Sequence, residues 1–183
     1  MDRMMERLKV VVVDDNHHMV NIIKTIMRGF GVKEFFDAGS AAEAFQIIRT
    51  TPIDLVITDY ALIGVDGCEF TKLLRTAEDS PNHFVPIIML TAYAERSKVE
   101  AARDSGVTEF CAKPVTATEL YRKVCGVINT PRSFIRTSVY FGPDRRRRKD
   151  DAYKGQERRE TLFGPKSGAV FEKAANKSAD PVA

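Results

Sequence analysis

Four apolar runs in this chain each end on a residue that can do chemistry. Leu8 to Val13 ends at the acid pair Asp14-Asp15, and Ile53 to Thr58 ends at Asp59. Pro86 to Leu90 ends at Thr91, and Thr108 to Ala112 ends at Lys113. Three carboxylates drawn into one crevice repel each other and need a cation. Oxygen-only ligands suit a hard divalent ion, and Mg²⁺ uses one or two carboxylates, keeps waters and engages phosphate. Such an ion would keep Asp59 ionised and nucleophilic and would neutralise charge on an incoming phosphoryl group. Lys113 can pair with one phosphoryl oxygen, and the Thr91 hydroxyl can donate to another. The set is coherent for phosphoryl transfer onto a carboxylate. Any one of these acids read alone is a solvated loop residue. Five correctly typed residues at four successive sites favour the joint reading.

The elements that must position them alternate. The β-branched run to Val13 reads as a strand buried on both faces. Asn16 can cap a helix in which Met19, Ile22, Ile23, Ile26 and Phe30 recur at helical spacing. Lys33 to Asp37 reads as a strand, Ser40 to Arg49 as a helix, and Ile53 to Thr58 as a strand. The loop Gly64-Val65-Asp66-Gly67 leads to a helix through Phe70, Leu73 and Leu74. Pro86 to Leu90 is a strand, Glu95 to Ser105 a helix, Thr108 to Ala112 a strand and Thr118 to Ile128 a helix, before Asn129-Thr130-Pro131 breaks the series. Five strands alternating with five helices predict an α/β fold with a parallel sheet covered on both faces. Right-handed crossovers and this size favour the flavodoxin-like, doubly wound order 2-1-3-4-5, in which ligands bind beyond the carboxyl ends of the strands.

Composition narrows the class. The 183 residues are 44% hydrophobic and 29% charged, enough for a sizeable core. The longest apolar runs, Val10 to Val13 and Val85 to Leu90, are far too short to cross a bilayer. The polar N-terminus MDRMMERLK lacks the apolar stretch of a secretory signal. Cys68, Cys111 and Cys125 are odd in number and scattered, without metal-ligand spacing, which fits a reduced cytoplasm. His17 and His18 are neighbours that point apart on a helix, so they read as cap or surface residues. Charge is divided unevenly. Residues 1–130 hold 15 Lys+Arg against 18 Asp+Glu, and residues 131–183 hold 13 against 7. An acidic body with a basic tail is expected, the tail meeting something anionic.

Asp14-Asp15, Thr58-Asp59, Leu90-Thr91-Ala92 and Lys113-Pro114 resemble the signature of a response-regulator receiver domain of the CheY type, over about residues 7–129. The resemblance implies that Asp59 is phosphorylated by a histidine kinase or phosphotransferase. It implies Mg²⁺ held directly by Asp15, Asp59 and the carbonyl of Ala61, with Asp14 acting through water. Thr91 and Lys113 would hold the phosphoryl oxygens, Phe110 would be the switch aromatic, and Pro114 would carry a cis peptide. The phosphorylated form would act by protein contact through the fourth helix, fifth strand and fifth helix. Phe110 also reads as plain core at a strand end. Ile63 stands where many relatives have proline. Ala61 and Tyr93 occupy positions that govern attack by water, and Tyr93 there implies a persistent phospho-form.

The tail gives less. Residues 130–142 read as a short linker or docking segment, in which Arg132 to Tyr140 forms a strand or helix extension. Residues 143–183 are basic, have little to bury and are expected to be mostly disordered. They lack the core that a DNA-binding domain needs. Phe141-Gly142-Pro143 recurs as Phe163-Gly164-Pro165, thin grounds for a repeat. The arginines Arg145, Arg146, Arg147, Arg148, Arg158 and Arg159 have three readings. They are a solvated charge run, a loose contact to nucleic acid or acidic protein, or a guanine-nucleotide site in which arginine forks pair with the base and phosphates. The last resembles CheY-like effectors that bind cyclic di-GMP and act on the flagellar motor or attachment machinery; Phe141 or Tyr153 would add a stacking surface. The sequence leaves open a phosphotransfer sink without its own output. An enzyme acting on a diffusible substrate is disfavoured, because no nucleophile or base remains outside the phosphorylation set.

Overall fold

The computed structural model describes residues 4–92, 96–146 and 160–163. Strands β1 (Lys9–Val13), β2 (Glu34–Ala38), β3 (Leu55–Asp59), β4 (Ile87–Thr91) and β5 (Glu109–Ala112) alternate with helices α1 (His17–Gly29), α2 (Ala41–Thr50), α3 (Gly67–Thr76), α4 (Arg96–Asp104) and α5 (Ala117–Asn129). All strand pairs are parallel, in the order β2-β1-β3-β4-β5. The helices begin where short polar side chains satisfy their first amides. Asn16 accepts from His18 and Met19, Ser40 from Glu43, Asp66 from Glu69 and Thr116 from Glu119.

The valine run explains the two-layer cover. Successive side chains of a strand point to opposite faces. Val10 and Val12 join Val20, Ile23 and Met27 of α1 and Leu120 and Val124 of α5. Val11 and Val13 join Ala44 and Ile48 of α2 and Phe70 and Leu74 of α3. A smaller cluster under α4 unites Met89, Ala102, Val107 and Cys68, with Phe110 and Tyr60 against it. Two residues of the apolar stripes, Ile22 and Leu73, stay exposed, because each layer is one helix deep and covers only one side of it. Met5, in a 3₁₀ turn (Met5–Arg7) ahead of β1, is buried in the first core, although its segment reads as polar.

The chain then adds a second, antiparallel sheet of order β7-β6-β8, formed by β6 (Phe134–Arg136), β7 (Phe141–Pro143) and β8 (Glu160–Phe163). Both β6 and most of β7 fall within residues 130–142, the stretch read as a short linker or docking segment. Of the stretch 143–183, expected to be mostly disordered, the described residues 143–146 and 160–163 hold the end of β7 and all of β8, and the rest of that expectation falls outside the described residues. Strands β6 and β7 take their core from the α/β body. Phe134 lies edge-on to Phe84 at 5.2 Å, Phe141 to Phe84 at 5.6 Å and to His83 at 6.2 Å, all between ring centroids. Phe134, Ile135 and Phe141 are buried, each contributing roughly 1.5–3 kcal/mol of hydrophobic stabilisation. In the register of this sheet, Phe134 of β6 stands opposite Pro143 on one side and Phe163 on the other.

Arg75 ties these parts together. It is fully buried, donating from Nε to the Gly106 carbonyl (3.1 Å), from Nη1 to His83 (2.8 Å) and from Nη2 to Val85 (2.8 Å). Its guanidinium lies 5.1 Å from the Phe134 ring centroid. Burial pushes its pKa down to about 9, so it remains charged at neutral pH. Three carbonyl acceptors and a ring face stand in for a carboxylate partner.

Candidate functional site

The parallel register places four of the motif positions at one edge of the sheet. Val13 pairs with Thr58, Asp59 with Leu90, and Thr91 with Ala112, so Asp14, Asp59, Thr91 and Lys113 all emerge at the carboxyl ends of adjacent strands. The Lys113 amide donates to the Thr91 carbonyl at 2.8 Å, fixing the turn after β5, and the Lys113–Pro114 peptide is cis. Lys113 Nζ lies 2.9 Å from Asp59 Oδ1 and 3.6 Å from Asp14 Oδ2. Asp59 Oδ1 also accepts the Tyr60 amide at 2.8 Å. Both contacts therefore fall on one oxygen, and Oδ2 takes neither.

Asp14 is buried, and its Oδ2 has no hydrogen-bond partner. Its other oxygen accepts the Asn16 amide at 2.8 Å. Desolvation holds its carboxyl above the ordinary carboxylate range, with smaller upward pushes from Asp59 and Asp15, against downward pulls from the Asn16 amide and Lys113. With Asp59 and Asp15 near enough to push its carboxyl upward, the Asp14 Oδ2 atom, which accepts no hydrogen bond and stands 3.6 Å from Lys113 Nζ, suits a hard divalent cation. Among the described residues, no three His, Cys, Asp or Glu side chains could hold a metal as a group. Asp15 and Ala61 are exposed beside the crevice, and Thr91 is buried at its wall. Phe110 is half-buried on the other face of β5, against the Met89 and Ala102 cluster. His17 and His18 are exposed at the start of α1.

Gly67, which opens α3, closes the crevice from behind. Its amide donates to the Tyr60 carbonyl at 2.9 Å, and a Cβ there would collide with the Asp59 carbonyl oxygen. Only glycine permits that approach, which presses the loop against the end of β3.

Residues 10–125 match the response regulator receiver domain. The chain belongs to that family. The chemotaxis protein CheY-3 of Vibrio cholerae is 29% identical over 119 residues, 65% of this chain and 90% of the relative. The chemotaxis protein CheY of Pseudomonas aeruginosa is 30% identical over 117 residues, 64% of this chain and 93% of the relative. Among solved structures, the receiver domain of the Pseudomonas aeruginosa sensor histidine kinase PA1611 is 26% identical with a TM-score of 0.60, covering 67% of this chain and 98% of its own. That structure carries a magnesium ion coordinated in its active site cleft. CheY4 of Vibrio cholerae, 26% identical, gives a TM-score of 0.59 over 66% of this chain and 98% of its own. This receiver is thus a two-component signalling domain with the CheY-like fold. Its second sheet lies beyond residue 125, where the family match ends. Among the described residues, no helix of this receiver is long and apolar enough to cross a membrane.

Of the tail arginines, the described residues include Arg145 and Arg146, each engaged with a different acid. Arg145 Nη1 pairs with Asp104 at 2.7 Å, and its guanidinium covers the Tyr140 ring at 4.0 Å. Arg146 pairs with Asp144 at 3.5 Å. Arg147, Arg148, Arg158, Arg159, Tyr93 and Tyr153 lie outside the described residues. Arg75 and Arg132 were the arginines that sequence reasoning missed. Arg132 pairs with Glu109, which also holds Lys123 at 2.9 Å. Neither position carries a sequence signal, since a basic residue near a helix end reads as solvated.

Proposed function

We propose that Asp59 is the phosphoacceptor of this receiver, taking a phosphoryl group from a histidine kinase or histidine phosphotransferase and passing the change to an output protein by altered contacts. The single observation that carries this is the division of labour at Asp59. Lys113 and the Tyr60 amide hold Oδ1, which orients the carboxylate and leaves Oδ2 for in-line attack on phosphorus. The new P–O bond forms as the donor's P–N bond breaks, and the departing imidazole nitrogen keeps the bond's electron pair and takes up a proton. Asp15, Asp59 and the Ala61 carbonyl would hold Mg²⁺, with Asp14 contributing through water. The ion would supply charge neutralisation at the phosphoryl oxygens. Lys113 then shifts its ion pair toward a phosphoryl oxygen, and Thr91 donates to another.

The reading places the protein in the cytoplasm beside its kinase and gives it no turnover of a diffusible substrate. Cyclic di-GMP binding by the arginine run gains nothing from the geometry, because Arg145 and Arg146 already engage Asp104, Tyr140 and Asp144. Incubation with Mg²⁺ and a small-molecule phosphoryl donor tests the proposal. Intact mass should rise by one phosphoryl group in the full chain and not in Asp59→Asn. An equal gain in both would place the acceptor elsewhere.

A further inference from the structure

We infer that residues 130–146 are this receiver's own reader of the Asp59 site: a segment anchored on α3 and clasped to the end of α4 by Arg145, whose clasp opens when Asp59 is phosphorylated. The inference rests on the reading of Asp59 as the phosphoacceptor. It adds an output element from residues that lie beyond the family match.

Besides the pair of Arg132 with Glu109 of β5, the segment has two attachments of unlike strength. The anchor is dry and rigid. Phe134, Ile135 and Phe141 are buried, and the Arg75 guanidinium under Phe134 is fixed by three carbonyls. Gly142 lies so near Gly106 that a Cβ on Gly142 would stand 3.0 Å from the Gly106 Cα. The clasp is wet and loose. Arg145 and Asp104, paired at 2.7 Å, are 33% and 55% exposed, and exposed ion pairs are held weakly. Arg145 Nε is shielded from solvent without an acceptor, a cost that opening would remove. Stacking on Tyr140 offsets part of that cost. The clasped state is therefore poised rather than locked.

The clasp also borders the path from the phosphorylation site. A cavity of about 270 Å³ is lined by Phe110 and Arg103 of the α/β body and by Arg132, Tyr140 and Arg145 of the segment. Phe110 stands three residues before Lys113, the group that pairs with Asp59. It also adjoins the cluster containing Ala102, two residues from Asp104 on α4. When Lys113 and Thr91 turn to a phosphoryl group, β5 and α4 are the elements that must adjust. The cavity gives Phe110 room to change place beside Tyr140 and Arg145. A two-state element biased from both ends couples them reciprocally.

Reciprocity sets the experiment. If the phosphorylated state disfavours the clasp, breaking the clasp must favour the phosphorylated state by the same factor. Beryllofluoride with Mg²⁺ serves as the phosphoryl mimic on the full chain, with Asp59→Asn as control. Hydrogen exchange of a peptide spanning residues 140–146 is followed in the unsubstituted protein, and beryllofluoride affinity is measured by calorimetry for it, Arg145→Ala and Asp104→Asn. The expected result is faster exchange at 140–146 on binding, with affinity about 5-fold or more tighter in both variants. Binding that leaves exchange and affinities unchanged would overturn the clasp while the Asp59 reading stands. No binding, or binding that survives Asp59→Asn, would overturn the Asp59 reading and the clasp with it.

Discussion

Replacing Phe134 with alanine tests whether the segment after α5 belongs to the fold. Its ring is buried between Phe84 and Phe141 and covers the Arg75 guanidinium. Truncating a buried phenylalanine costs about 3–5 kcal/mol through lost transfer energy and an unfilled cavity. Uncovering the Arg75 guanidinium adds to this, because a fully buried cation then loses one of its few compensations. For a chain of this length the loss corresponds to a fall in melting temperature of about 6–20 °C. The assay is thermal or urea unfolding followed by far-UV circular dichroism. Val139→Ser, at a position 93% exposed near the tip of the β6–β7 hairpin, is the control and should stay within about 0.5 kcal/mol. If Phe134→Ala melts with the control, the segment is an appendage and the account of Arg75 fails with it.

Further outcomes follow from single contacts. Arg75→Ala leaves the carbonyls of His83, Val85 and Gly106 without donors. At about 1–3 kcal/mol per buried unsatisfied group, it should be among the most destabilising substitutions outside the apolar core, as urea unfolding will report. Gly67→Ala drives a Cβ into the Asp59 carbonyl. It should destabilise the fold and slow phosphorylation, measured by intact mass against time; unchanged rates would show that the loop yields freely. Asp14 has a folded pKa above its unfolded value, so the folded state holds that proton longer. Stability is therefore lost as pH rises from the ordinary carboxylate range through the raised value, and the deficit persists at neutral pH. Asp14→Asn should melt higher than the parent at pH 7. Mg²⁺ should raise the parent's melting temperature, EDTA should reverse the rise, and Asp14→Asn should respond less. Equal melting with and without Mg²⁺ would contradict the reading of the crevice.

The sheet was legible because its signals are local. Four consecutive valines must serve two faces, and Asn16, Asp66 and Thr116 begin helices where their side chains bind backbone amides. The motif residues were legible because parallel strands bring their carboxyl ends together whatever the intervening sequence. The second sheet was not, because its core is borrowed. Phe134, Ile135 and Phe141 are too few to bury one another, and Phe84, His83 and Arg75, about fifty to sixty residues earlier, pack against the two phenylalanines. Arg75 was hidden for the same reason. Its acceptors are backbone carbonyls, which no residue type announces. Exposed Ile22 and Leu73 mark the converse error, where helical spacing overstates how much of a helix one layer can cover.

The central claim is chemical and needs one measurement. Phosphorylated full-length chain, prepared with Mg²⁺ and a small-molecule donor, should be reduced with borohydride and peptide-mapped, since an acyl phosphate is converted to an alcohol at the acceptor carbon. The expected result is a single converted aspartate at Asp59, absent when Mg²⁺ is chelated. Conversion at Asp14 or Asp15 instead, or none under conditions where the chain is folded and Mg²⁺ is bound, would contradict the account.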